Sequence, residues 1–145
     1  MTERELTLAL RLWMRIREPR IISVLRFFMY LGFLAGGIAT IHSPPTSIQG
    51  AMGLPAMIML GWLLAAGALM GAVSVLPGAW WLERVGVATV ALSFSVYLWI
   101  IMVLHVTEGG NRLLQAAAVF GIILSQAIRF VRIWERPYDP DLRQL

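Results

Sequence analysis

Residues 17–41 read "REPRIISVLRFFMYLGFLAGGIATI", and how this stretch is read decides the fold. From Ile21 to Ile41 the chain is apolar for 21 residues, interrupted by a single charge, Arg26. It is either a buried helix of a soluble protein or a membrane span that carries an arginine near its start. Composition decides between them. Soluble domains of this size average roughly 45–50% apolar and about a quarter charged residues. The 145-residue chain is 59% hydrophobic and 14% charged, with a mean hydropathy of +0.74. That leaves too little polar surface to cover a soluble core, so the class is integral membrane.

Three further runs are long enough to span a bilayer, which takes about 20 residues. They cover residues 54–76, 85–106 and 113–134. The second and third spans carry no charge, whereas the fourth holds Gln115, Gln126, Arg129 and Arg132. The connectors "HSPPTSIQGAMG", "PGAWWLER" and "TEGGN" each supply Pro or Gly where the chain must turn. The expected fold is all-α, an integral membrane four-helix bundle over residues 19–136.

All twelve basic residues are arginine. Six lie in residues 1–26, Arg84 lies between the second and third spans, and four lie from Arg129 onward. In a four-span arrangement these eleven share one side, and only Arg112 falls on the other. The positive-inside rule then puts both termini in the cytoplasm of a bacterial inner membrane.

Arg26 now has a reading. An arginine at mid-bilayer costs about 2.5–3.5 kcal/mol, but near a helix end its guanidinium can snorkel to the headgroups. Arg26 and Arg129 sit about equally far inside the cytoplasmic ends of their spans, as interface anchors. Trp80 and Trp81, with Trp134, suit an aromatic belt at that interface.

The segment "MTERELTLALRLWMRIRE" (1–18) reads as a separate amphipathic helix lying in the interface. Thr2 and Glu5 have capping-box spacing, and Leu6, Ala9, Trp13 and Ile16 recur at helical spacing opposite arginines. Its charged region is too long and too rich in glutamate for a signal peptide. Residues 137–145 form a polar cytoplasmic tail.

Small residues recur every three or four positions: Gly32 and Gly36; Gly61, Ala65, Ala68 and Ala72, with Gly67 and Gly71 beside them; and Ala117, Gly121 and Ser125. Such faces let helices approach closely, either within the chain or between copies of it. Polar faces are sparse. Thr89, Ser93 and Tyr97 share one side of the third span, and Gln115, Gln126 and Arg129 one side of the fourth, where partners on neighbouring helices are expected.

Chemistry is nearly absent from the sequence. Without cysteine there is no thiolate site or thiol nucleophile. His42 and His105 lie at outer span ends and, even with Glu108, make no firm metal site. Glu83 and Glu108 read as interfacial, so no carboxylate lies at depth, which disfavours a proton-coupled transporter. The arginines flank apolar runs instead of forming a soluble basic face, which excludes nucleic-acid binding. No enzyme, cofactor or metal is expected.

The strings "LRLWMRIREPRIISVL", "PPTSIQGAMG" and "VLPGAWWLERVG" resemble small four-span membrane proteins encoded by phages of actinobacteria. The resemblance covers most of residues 8–86, and some such proteins are labelled holins. It implies a phage-encoded, holin-like protein that self-associates to permeabilise the membrane during host lysis, with the lipid bilayer and further copies of itself as partners. The competing expectations are a non-lytic interaction protein, such as a superinfection-exclusion factor binding a host or phage membrane protein, and a small transporter.

Overall fold

The structure, a computed structural model, describes residues 20–46, 50, 53–77, 79–108 and 110–134. Among these residues it holds four helices and no strand: α1 (Arg20–His42), α2 (Leu54–Val75), α3 (Trp80–Thr107) and α4 (Leu113–Trp134). At a rise of 1.5 Å per residue they run about 33 to 42 Å, enough for a hydrocarbon core of about 30 Å. All four are long and apolar enough to cross a membrane, as a multi-pass protein requires. The expected helix over residues 1–18, with Trp13, and the tail over 137–145 lie outside the described residues.

Two helix starts show the local chemistry. Gly53, which caps α2, has φ +81°, a backbone region where side chains are strained, and Pro55 follows within the first turn. α3 begins at Trp80, five residues before the expected start of the third span. The turn before it is closed by the Ala79 N–H donating to the Ser74 carbonyl at 3.1 Å and the Glu83 N–H donating to the Ala79 carbonyl at 3.0 Å. Trp80, Trp81 and Leu82 have no reason to leave a helix once it is nucleated. The connector is therefore shorter than expected, and Glu83 moves from connector to helix.

The helices run up and down, and only sequence neighbours bring their backbones close. Glycine sets two of the crossings. A Cβ on Gly37 would lie 2.8 Å from the Ala65 amide nitrogen, and one on Gly86 would lie 2.7 Å from that of Gly71. Gly61 faces Ile41, and Gly67 faces Thr89 just as closely. Gly61, Ala65, Gly67 and Gly71 are thus buried in packing within the chain. Gly32, Gly36 and Gly121 are exposed, with no atom within 4 Å of a Cβ built on them, and Ala117 and Ser125 are exposed too. One four-residue spacing has been put to two uses.

The main core joins Tyr30, Ala68, Ala72, Val75, Val87, Val90 and Ile133, one residue from the middle of α1, one from the end of α4 and a run from α2 and α3. It lies at the end where α1 starts and α4 stops, which also carries most of the arginines. Large apolar side chains such as Phe28, Trp62, Trp99 and Ile128 stand exposed on all four helices. Water disfavours such a surface, whereas lipid tails accept it.

Candidate functional site

The arginine-rich end holds a buried polar cluster. Glu83, in the first turn of α3, is 1% exposed. Its Oε1 accepts from both Nε of Arg129 at 2.7 Å and Nη2 at 2.6 Å. Arg129 therefore turns inward to a carboxylate, where the sequence suggested a side chain reaching for headgroups. A carboxylate this deep in an apolar bundle is stable as a charge only with such a partner. Charge-assisted contacts to both nitrogens satisfy that need.

The next residue grips the same helix. Arg84 Nη2 donates to the Ile133 carbonyl at 2.9 Å, filling one of the acceptors that α4 leaves open at its end. Its guanidinium carbon lies 5.2 Å from the Trp134 ring centroid, a cation–π distance. Glu83 and Arg84 together clamp the last turns of α4 onto the start of α3.

α1 joins the cluster through side chains alone. Tyr30 is fully buried, its ring against Gly71, and its hydroxyl has no hydrogen-bond partner. Gln126, 1% exposed, places Nε2 4.0 Å from Met29 Sδ, while its Oε1 is also unpartnered. Arg26, half-buried, lies within electrostatic reach of Arg129, Glu83, Tyr30 and Arg132. Of the expected aromatic anchors, Trp80 is half-buried beside the core and Trp81 is 72% exposed.

The opposite end is open. A cleft of about 200 Å³ lies along α1, α2 and α3, with Gly32, Gly36 and Thr40 on one wall and Ser93, Phe94 and Tyr97 on another. Its inner limit is an aromatic contact, Phe33 edge-on to Phe94 with centroids 4.9 Å apart. Thr40 and Ser93 donate to carbonyls of their own helices, Gly36 and Thr89, at 2.8 and 2.9 Å. For Ser93 the sequence suggested a partner on another helix, but the carbonyl one turn back is nearer. Gln115, exposed, does reach across, its Nε2 donating to the Tyr97 hydroxyl at 2.7 Å.

The α3–α4 connector is held locally. Glu108 and Arg112 pair at 2.6 Å, and His105 Nδ1 lies 2.8 Å from the Gly110 carbonyl oxygen. Among the described residues no three His, Asp or Glu side chains converge as metal ligands.

No protein-family model matches this chain, and no significant match was found among curated proteins or solved structures.

Sequence reasoning missed Glu83 as a buried residue. One signal could have found it: Glu83 sits beside Arg84, and Arg26 and Arg129 fall toward the same end of the four-span arrangement.

Proposed function

We propose that this is a phage-encoded, holin-like protein of the bacterial inner membrane. On this reading both termini are cytoplasmic, and copies associate along the open α1–α4 side to permeabilise the membrane during host lysis. The observation that carries the reading is the unfilled face of α1. Gly32 and Gly36 project no side chain and meet none, beside a cleft bearing the hydroxyls of Thr40, Ser93 and Tyr97. A helix from a second copy can approach such a face closely. α4 offers a matching small face in Ala117, Gly121 and Ser125. Copies joined this way would line an opening with hydroxyls and Gln115.

Induced expression tests it. Growth stops abruptly after a delay, because assembly needs a critical membrane density, and a cytosolic reporter escapes when an endolysin is co-expressed. Gly32→Leu with Gly36→Leu removes the lysis while leaving membrane levels unchanged. Reporters fused before Met1 and after Leu145 act as cytoplasmic, and one at Ser47 as external. Intact potential and viability at verified high membrane levels end the holin reading.

One observation favours a second reading, a small transporter. Glu83 and Arg129 form an ion pair buried between α3 and α4, and ionisable groups inside a membrane bundle commonly mark solute or proton paths. A transporter produces a flux that rises in proportion to expression from the start, with no delay.

A further inference from the structure

Among the described residues, the α1–α4 seam at the arginine-rich end carries more positive charge than its carboxylates neutralise. The contact between Met29 and Gln126 fixes its register. Arg26 lies three residues before Met29 and Arg129 three residues after Gln126. Because α1 and α4 run in opposite directions, both arginines step toward the same end and flank the same seam. Arg132 lies one turn beyond Arg129 and within electrostatic reach of Arg26. Three guanidinium groups thus flank the seam, and Glu83, the one carboxylate described there, is occupied by Arg129. Among the described residues neither Arg26 nor Arg132 has an ion pair. Arg26 is about 9 Å and Arg132 about 3 Å inside the helix ends, close enough for their long side chains to reach a headgroup phosphate.

We propose that Arg26 and Arg132 hold the phosphate of an anionic phospholipid in the seam between α1 and α4, with Glu83 fixing Arg129 beneath it. Like charges gathered along one seam, where Arg26 is half-buried and Arg132 one turn further out is exposed, are unfavourable unless an anion bridges them. A phosphate does so with two or three charge-assisted hydrogen bonds, for which guanidinium geometry is well suited. Basic clefts between spanning helices at headgroup level recognise anionic lipids on the same grounds. The backbones of α1 and α4 do not approach closely, and a bilayer lipid would enter this seam from the side. Glu83 also keeps the third arginine from competing for the phosphate. The site is independent of lysis: it concerns what the seam binds, not what the assembled protein does to the membrane.

The test uses full-length protein in nanodiscs made from equal parts phosphatidylglycerol and phosphatidylcholine. Native mass spectrometry then reads which lipid is retained. Wild-type protein retains phosphatidylglycerol in excess. Arg26→Gln and Arg132→Gln each reduce that excess roughly fivefold, the factor equivalent to about 1 kcal/mol per basic residue near the surface. Arg26→Lys with Arg132→Lys keeps most of it, which separates lost charge from lost fold. Equal retention of the two lipids by wild-type protein, or an excess unchanged in the double glutamine variant, overturns the proposal. A third arm adds inorganic phosphate to protein in phosphatidylcholine discs. Thermal stabilisation there that vanishes in the double glutamine variant assigns the site to free phosphate and overturns the lipid source. None of these readings involves permeabilisation, so the result stands apart from the fate of the holin reading.

Discussion

The two ends of this bundle are built differently. At the arginine-rich end, contacts between residues far apart in sequence close the structure: Glu83 to Arg129 over 46 residues, Arg84 to Ile133 over 49, and Gln126 to Met29 over 97. At the other end the polar contacts are mostly local, between Glu108 and Arg112 or within a single helix, and a cleft remains open. Among the described residues, only Gln115 and Tyr97 form a side-chain hydrogen bond between two helices there. Ion pairs in an apolar medium hold one geometry, while hydroxyls bonded to their own helix hold none between helices. The closed end therefore sets how the helices are arranged, and the open end is free to change partners.

The largest effect expected from this contrast comes from breaking the Glu83–Arg129 pair, and it should be asymmetric. Arg129→Met leaves a short, fully buried carboxylate without its partner and costs about 3–5 kcal/mol, the usual penalty for half of a buried pair. Glu83→Gln costs less, because Arg129 is 24% exposed and long enough to swing toward the headgroups. Glu83→Leu with Arg129→Met recovers most of the loss. Unfolding in mixed micelles by increasing detergent denaturant measures all three. Equal costs for the two single variants would mean that Arg129 cannot leave the seam.

An intermediate effect separates the two sets of glycines. Gly86→Ala drives a methyl group against the Gly71 backbone, which has nowhere to move, and costs about 1–3 kcal/mol. Gly36→Ala meets nothing within the chain and stays within about 0.5 kcal/mol of wild type in dilute micelles. The same substitution weakens crosslinking between copies in membranes if the α1 face is where they meet. If Gly36→Ala destabilises the isolated chain as much as Gly86→Ala, the open face is not open in the membrane.

The helices themselves were legible in the sequence because a span is a property of composition over about 20 residues, which any window reports. Their termini were legible wherever Pro or Gly interrupts the run, as at Gly53 and Pro55. The start of α3 was not, because tryptophans and a glutamate suit both an interface and a helix. The glycine spacing revealed that close approach was intended at Gly61, Gly67 and Gly71 but not with which partner, since Gly32, Gly36 and Gly121 share the spacing and stay bare. The Glu83–Arg129 pair was the least legible feature. Periodicity describes one helix at a time, and which arginine a carboxylate meets depends on the rotation of two helices about their axes.

The smallest effect sharpens the contrast at its weak side. Tyr97→Phe removes the hydroxyl that accepts from Gln115, among the described residues the one hydrogen bond between helices at the open end. Bonds of this kind between membrane helices average about 0.6 kcal/mol, because the separated helices find other partners. Gln115 is exposed and can turn to the headgroups or to water once Tyr97 lets go. Tyr97→Phe should therefore shift the micelle unfolding midpoint slightly, by far less than Arg129→Met, while making the cleft wall more apolar. A double-mutant cycle with Gln115→Leu reads the pair alone. A coupling near 3 kcal/mol would show the open end to be pinned as firmly as the closed one, and a cleft so pinned could not serve as the face on which copies exchange partners.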